Sequence, residues 1–342
     1  MKVIIGLALV LILPALAESI EKTPAVVYFE KIGRISRSIS ESAWEYVKVS
    51  ADRKRSGEAA KKRKETIQKI ENSIIQISAV EPFEGDSSYR EAVLVYLRDL
   101  NAVMRDDYAT IVSIEKNSEE SFSALEAYLN MKEKADRKLD IITVKLKKAE
   151  EKFADANSVA LSYRESDVTK KFRIASDVTK YYNSVYLPFF KAFKQESVLL
   201  DAVNSGDLQK IDSGRLLLHK VSNEGLDTYK SIKPYSGDLS LVKAASAFLD
   251  FFAEESVKHT KNITDYVQKK DAFEKIRKEF NAKKDSERTK VDADNYNAKA
   301  GELNDAGKKY NESVNELNKK RAELISRWNI ISAEYFDRHI PR

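Results

Sequence analysis

The pattern that most constrains this chain is a narrow apolar stripe towards the end of its first half. Apolar residues recur there in an unbroken alternation of three and four positions: Leu139, Ile142, Leu146, Ala149, Phe153, Ala156 and Ala160. This spacing places every apolar side chain on one face of an α-helix, as in helices that pack into bundles or coiled coils. A half-buried strand would instead alternate apolar and polar residues. The sequence therefore predicts a long helix with one apolar face.

Stripes of the same kind cover most of the chain. In the first half they predict three earlier helices, over residues 27–52, after Gly57, and from Tyr89 to Ile111. In the second half the last stripe runs over residues 303–335. The 342 residues include only 10 Gly and 6 Pro, which disfavours turn-rich β folds. We therefore expect an all-α protein.

Two segments in different halves of the chain resemble each other. Residues 80–100 read VEPFEGDSSYREAVLVYLRDL, and residues 232–252 read IKPYSGDLSLVKAASAFLDFF, with 6 of 21 positions identical. Such self-similarity is typical of duplicated units. The same offset aligns five further pairs: Ile74 with Leu226, Ile77 with Tyr229, Ile111 with Ile263, Tyr128 with Phe280, and Lys138–Asp140 with Lys290–Asp292.

The predicted fold is an elongated helical bundle built from two tandem units of four long, coiled-coil-like helices. The first repeat unit is expected at residues 18–163 and the second at residues 164–342. In each, a Pro-aromatic-x-Gly-Asp segment precedes the third helix, and its Pro, Gly and Asp suit a helix end, a positive φ and a helix cap. A further turn is expected at residues 204–207, with Gly206 after one helix and Asp207 capping the next.

Residues 1–17 have the features of a secretory signal peptide. A basic start is followed by an apolar run over residues 3–13, Pro14 and the triplet Ala15-Leu16-Ala17, so we expect cleavage after Ala17. The alternative is a membrane anchor, but the run is shorter than the ~20 residues that span a bilayer. We expect export to the periplasm, the cell surface or the medium, and no transmembrane helix in the mature chain.

The chain contains no Cys. This excludes disulfides, thiolate nucleophiles, iron–sulfur clusters, Cys-ligated zinc and a lipid anchor on an N-terminal cysteine. Exported eukaryotic domains of this size usually carry disulfides, so the composition favours a bacterial protein.

The sequence also lacks the motifs of common catalytic and cofactor sites. It has no nucleophile elbow, phosphate-binding glycine loop, zinc-binding His pair or calcium loop. The histidines His219, His259 and His339 are far apart, although the first two could meet between helices, and no Glu-x-x-His of a di-metal bundle occurs. We predict a protein that is not an enzyme and holds no cofactor.

One segment, residues 53–64, is strongly basic. It reads RKRSGEAAKKRK, with seven basic residues and one acidic residue. Such a patch suits a polyanion such as an anionic lipid headgroup or a glycan, whereas nucleic acid is not expected for an exported protein without nearby aromatic residues. The alternative is a solubilising helix end. The candidate polyanion-binding residues are Arg53, Lys54, Arg55, Lys61, Lys62, Arg63 and Lys64.

Two segments of the second half are unusually apolar, residues 185–190 and residues 244–253. Both are too short to span a bilayer. They are expected to form the core of the second unit, and the alternative is insertion into a membrane by a pore-former.

The Pro-aromatic-x-Gly-Asp segments and the Ala-, Leu- and aromatic-rich helices after them, at residues 82–97 and 234–249, resemble a family of bacterial all-helical surface proteins found in leptospires and Bacteroidetes. That family has no assigned function. The resemblance implies a surface or periplasmic location and transfers no catalytic residue.

We therefore expect an exported, non-enzymatic helical protein of the envelope or surface. It would bind an unknown protein, glycan or anionic lipid headgroup, or act as a spacer. The alternative is a membrane-active protein, either a peripheral binder of anionic lipid or a helical pore-forming toxin.

Overall fold

The computed structural model describes residues 16–17, 22–51, 56–162 and 166–341. These residues form an all-α helical bundle, as the apolar stripes predict. Within them, strand structure is limited to β1 (Leu16–Ala17) and β2 (Leu161–Ser162), which pair antiparallel. Residues 1–15 of the expected signal peptide lie outside the described residues, so the peptide and its cleavage stay predictions.

The α-helices of the described residues are connected by short turns and loops. Contacts divide the chain into a first unit, residues 2–181 with 336–342, and a second unit, residues 182–335, so that α6 and α10 contribute to both. The helices are α1 (Pro24–Ala51), α2 (Ala59–Ser78), α3 (Ser88–Ala102), α4 (Tyr108–Glu115), α5 (Phe122–Ala156), α6 (Asp167–Ser205), α7 (Leu208–Ser231), α8 (Ser240–Glu254), α9 (Thr260–Ala282) and α10 (Lys290–His339).

In the first unit, α5 buries the large side chains of the predicted apolar stripe as far as Phe153. The helix ends at Ala156, earlier than the stripe indicates, and Ala160 is exposed. Ser158 adopts a φ of 54°, and the amide of Val159 returns to the carbonyl of Ala154 at 2.9 Å. This pattern closes a helix C-terminus, so the predicted continuation to Ala160 is wrong.

The two Pro-aromatic-x-Gly-Asp segments form matching tight turns. In the first, Phe83 and Asp86 form a bridge around Glu84 and Gly85, whose φ values are 49° and 84°. Two positive φ values in succession are typical of a type I′ turn, and Gly allows one of them without strain. The side chain of Asp86 then accepts the Ser88 amide at 2.7 Å and caps α3, as predicted. The second turn repeats this geometry at Tyr235, Ser236, Gly237 and Asp238.

The third helix of each unit is interrupted by one π-helical turn. These turns span Val103–Asp107 and Glu255–His259, and the offset between them is the same as that between the two similar segments. In the first, buried residues recur in steps of four at Leu100, Met104 and Tyr108, which an ideal α-helix does not keep on one face. The wider π turn restores that face to the core.

The core of the second unit is aromatic. Phe189 on α6 packs against Phe248 on α8 at 4.5 Å and against Trp328 on α10 at 4.9 Å between ring centroids, and all three rings are buried. The predicted role of residues 185–190 and 244–253 as core is therefore confirmed. The predicted turn is also confirmed, because Gly206 has a φ of 70° and Asp207 accepts the amides of the first turn of α7.

Candidate functional site

The most distinctive feature of the second unit is a hairpin formed by α9 and the N-terminal part of α10. Asn262 Nδ2 donates to Ser313 Oγ at 3.0 Å near its base, and the rings of Tyr266 and Tyr310 stack with centroids 4.6 Å apart. Further out, Phe280 packs on Tyr296 at 4.9 Å. Residue numbers therefore rise on one helix as they fall on the other, which makes the pair antiparallel.

This hairpin is much longer than the corresponding pair, α4 and α5, in the first unit. The turn residue Phe83 packs on Phe153, 70 positions later, whereas its counterpart Tyr235 packs on Tyr335, 100 positions later. The offset between the two similar segments therefore fails beyond the third helix. The alignment of Tyr128 with Phe280 is wrong, because Tyr128 lies in α5 whereas Phe280 lies in α9, the counterpart of α4. The alignment of Lys138–Asp140 with Lys290–Asp292 is also wrong, because it pairs the middle of α5 with the first turn of α10.

The added part of the hairpin has no core of its own. Within the described second unit, no residue from 268 to 305 is buried, whereas Val267 and Ala306 on either side of that range are. The apolar contacts of this part are pairwise, such as Phe273 with Tyr296 at 5.2 Å. The ring contacts described for this segment are thus contacts between its own two helices.

The tip of the hairpin is nevertheless well defined. The Lys284 amide donates to Glu287 Oε2 at 3.2 Å, and the Glu287 amide donates to the Lys284 carbonyl at 2.8 Å, which closes a short 3-10 turn. Arg288 donates from Nε to the Phe280 carbonyl at 3.1 Å. The Arg288 guanidinium also lies over the Phe280 ring, 4.6 Å from its centroid. Asp292 accepts from Lys283 Nζ at 2.6 Å, and this hydrogen bond, with those from Thr289, lowers the pKa of Asp292 to about 2.

The tip carries a local excess of positive charge. Residues 274–292 contain seven basic and five acidic residues, a net charge of +2. Three of the cations have acidic partners: Arg277 pairs with Glu274, Lys283 with Asp292 and Arg288 with Asp285. The others are exposed and have no ion pair among the described residues: Lys275, Lys278, Lys284 and Lys290. The patch is inconspicuous in the sequence because acidic residues are interspersed among the basic ones.

The predicted polyanion-binding segment divides into two kinds of residue. Arg53, Lys54 and Arg55 lie outside the described residues. Lys61 and Lys64, on α2, are exposed.

The remaining two residues of that segment make contacts within the protein. Lys62 forms an ion pair with Glu65 at 2.8 Å. Arg63 donates from Nη1 to the carbonyls of Met104 and Arg105, at 2.9 and 3.3 Å. Arg63 therefore stabilises the π turn of the first unit, and only two of the described candidates are free to face a ligand.

A second cluster of charged residues is buried inside the second unit. Arg321 on α10 donates from Nε to Glu196 Oε1 at 2.6 Å and from Nη2 to Glu255 Oε1 at 3.2 Å. Both carboxylates are almost fully buried. Burial, together with the adjacent Glu196, raises the pKa of Glu255 to about 9. The Arg321 guanidinium thus neutralises the Glu196 carboxylate, while the Glu255 carboxyl group keeps its proton at neutral pH.

The first unit holds a smaller polar cluster where α4 meets α5. Burial lowers the pKa of Lys132 to about 8 and raises that of Asp136 to about 6. The hydroxyl of Tyr108 lies 3.4 Å from Asp136 Oδ1, and Lys138 pairs with Asp107 at 2.7 Å. These contacts join the third and fourth helices of the unit.

The histidines do not assemble into a site in the described residues. His219 Nδ1 lies 3.2 Å from Ser256 Oγ, and His259 is buried at the end of a π turn. No group of three or more potential metal ligands occurs among the residues that the structure describes.

A groove between α8 and α10 lies beside His259. Phe251, Leu317 and Leu324 contribute apolar surface to it. Its lining mixes both signs of charge, with four acidic residues and the three cations Lys319, Lys320 and Arg327, so the groove has no strong charge preference for a ligand.

In the part of the chain that the structure describes, no helix has the length and apolar character needed to cross a bilayer. Comparison with known proteins adds no assignment: no protein-family model matches the chain, and neither a curated protein nor a solved structure is significantly similar to it.

Proposed function

We propose that this protein is an exported, non-enzymatic binding module of the bacterial envelope or surface, and that the α9–α10 hairpin is its recognition element. The observation that carries the proposal is the hairpin's added length. The added part includes no buried residue from 268 to 305. Ordering a residue costs roughly 1–2 kcal/mol of backbone entropy, and burial of apolar surface normally offsets this cost. A segment with little burial contributes little to folding and leaves its surface free for a partner.

The origin proposed for the two units is a duplication followed by lengthening of one hairpin. The matching bounds of α3 and α8, of the two π turns and of the two type I′ turns support it. Location at the envelope rests on the signal-peptide features and on the resemblance to bacterial helical surface proteins.

A replacement within the chain tests the proposal. Residues 268–303 of the hairpin would be replaced by residues 116–121, the short connection between α4 and α5, which removes the part without buried residues. Circular dichroism and thermal melting would establish that this variant folds. The control variant keeps the hairpin and replaces four exposed lysines of the first unit with glutamine: Lys116, Lys134, Lys145 and Lys148.

The readout is retention of each protein on washed bacterial envelopes in a sedimentation assay. We expect the unmodified chain and the control variant to be retained and the folded short-hairpin variant to stay in the supernatant. Equal retention of all three proteins would contradict a recognition role for the hairpin. Failure of the unmodified chain to bind would contradict the envelope-binding function itself.

A second candidate function, peripheral membrane binding, is favoured by the charge of the hairpin tip.

A further inference from the structure

We propose that the hairpin tip binds the anionic headgroups of a lipid membrane surface through Lys275, Lys278, Lys284 and Lys290. This inference rests on the proposed function, since it names the partner of the hairpin.

The first support is charge that the protein does not itself neutralise. Arg277, Lys283 and Arg288 have acidic partners, whereas the four lysines named above have none among the described residues. Each lysine near an anionic membrane strengthens binding roughly fivefold, so four of them together have a substantial effect.

The second support is position. Lys275 and Lys278 are three residues apart on α9, so they share one helical face. Lys284 and Lys290 flank the 3-10 turn Asp285–Glu287 at the end of the hairpin. The four ammonium groups therefore belong to the last turns of one hairpin instead of being spread over the unit.

The third support is that the backbone carrying these lysines is already ordered. The two hydrogen bonds between Lys284 and Glu287, the contacts of Arg288 with Phe280 and the hydrogen bonds of Asp292 with Thr289 hold the tip in one conformation. Binding then requires no further ordering of the backbone, which favours affinity.

The tip fits a lipid surface better than a nucleic acid. The Phe280 ring already contacts the Arg288 guanidinium and the Tyr296 ring, which leaves less of it available for base stacking. Next to Lys290, the aliphatic side chain of Val291 is 76% exposed, the highest value among the large exposed apolar residues described. A cationic surface with an exposed aliphatic group suits the interface of an anionic bilayer.

The test is co-flotation of the full chain with vesicles of phosphatidylcholine alone and of phosphatidylcholine mixed with phosphatidylglycerol. The tip variant carries K275Q, K278Q, K284Q and K290Q. The matched control carries K116Q, K134Q, K145Q and K148Q, and so loses the same charge from the first unit. A third variant, K61Q with K64Q, tests the exposed lysines of the predicted basic segment.

We expect binding to the mixed vesicles that weakens between about 0.1 and 1 M salt, as the Debye length falls from ~10 to ~3 Å. The tip variant should bind at least tenfold more weakly, since each lysine near an anionic surface is worth roughly fivefold. The control and the K61Q/K64Q variant should remain within about threefold of the unmodified chain. Any vesicle binding through the apolar N-terminus would be the same in the unmodified chain and in all variants. It would also persist on neutral vesicles and at high salt.

Three results would overturn the inference. One is equal loss of binding in the tip variant and the matched control; another is binding to a sulfated polysaccharide but to neither vesicle. Release of a trapped dye would also overturn it, because a peripheral binder leaves the bilayer closed. If anionic vesicles do not bind but the short-hairpin variant still loses envelope retention, the lipid partner is wrong and the proposed function stands.

Discussion

Arg321 Nε donates to Glu196 Oε1 at 2.6 Å and so joins two side chains that are 125 positions apart in the sequence. The same guanidinium contacts Glu255, which begins the π turn of the second unit. Three helical segments thus meet at one positive charge and two carboxyl groups. Because one guanidinium can neutralise only one carboxylate, the stability of this unit should depend on the charge state of the cluster.

Loss of the positive charge should strongly destabilise the second unit. In R321M, the buried carboxylate of Glu196 loses its counterion, and removing one partner of a buried pair typically costs about 3–5 kcal/mol. In E255Q, an amide replaces a carboxyl group that is already neutral, so we expect a cost below about 1.5 kcal/mol. Free energies of unfolding from urea titrations, compared with the unmodified chain, test this. Similar costs for both variants would contradict the assigned protonation state.

The same carboxyl group should make stability depend on pH. The folded protein keeps the proton of Glu255 up to a pH of about 9, whereas an unfolded Glu releases it near its ordinary pKa of about 4.3. Between these values the folded state binds the additional proton, so this group's contribution to stability falls as pH rises, by about 1.4 kcal/mol per pH unit. The difference between the unmodified chain and E255Q, measured from pH 5 to 9, isolates it from other groups. A difference that is independent of pH would refute the raised pKa.

Arg63 should behave as a structural residue and not as a ligand-binding one. In R63M, the carbonyls of Met104 and Arg105 lose a charged donor, which should cost about 1–3 kcal/mol. The neighbouring exposed Lys64 serves as the control, because K64Q should change stability by less than about 0.5 kcal/mol. Thermal or chemical denaturation of both variants measures the difference. Equal effects would show that the π turn does not depend on Arg63.

Gly225 should tolerate no larger side chain without loss of stability. A Cβ at this position of α7 would lie 2.6 Å from Leu249 Cδ1 and 3.4 Å from Pro188 Cβ, so G225V forces two core side chains to move. Such overpacking costs about 1–3 kcal/mol. At Gly33 on α1, a Cβ meets nothing within 4 Å, so G33A should instead stabilise the chain by up to about 1 kcal/mol. Free energies of unfolding of both variants measure this, and a stabilised G225V would show that α7 can move away from its neighbours.

The added part of the hairpin should open more easily than the core. Because residues 268–305 bury no side chain, their helical hydrogen bonds are not protected by packing, and we expect faster amide hydrogen exchange there than in α8. Mass spectrometry of peptides from both regions measures this directly. Comparable protection in both regions would indicate that another surface covers the hairpin in solution.

The helices and turns could be predicted from the sequence because their causes are local. The stripe that begins at Leu139 identifies α5, and Asp207 and Gly206 occupy the cap positions that their chemistry suggests. The end of α5 was misplaced by a few residues, since Ala160 continues the apolar spacing while Ser158 closes the helix by a positive φ. Apolar periodicity depends on the types of the side chains and does not show such a change of backbone conformation.

The candidate site was less accessible to the same reasoning. The basic segment at residues 53–64 is conspicuous in the sequence, yet Arg63 is occupied by carbonyls of a distant helix. The lysines of the hairpin tip are interleaved with acidic residues in the sequence. Only the structure shows that Asp292 and Asp285 pair with Lys283 and Arg288, which leaves other lysines of the tip without an ion pair among the described residues.

Taken by itself, the sequence determined the all-α class, the approximate positions of several helices and the two matching turns, because apolar spacing, glycine and capping residues act over a few neighbouring positions. Only the tertiary structure decided that Tyr235 packs on Tyr335, 100 positions later in the chain. It also decided where the α-helices widen into π turns and which charges are neutralised within the protein. Those outcomes depend on contacts between residues far apart in the chain, and their free energy comes from packing and desolvation that no local pattern encodes.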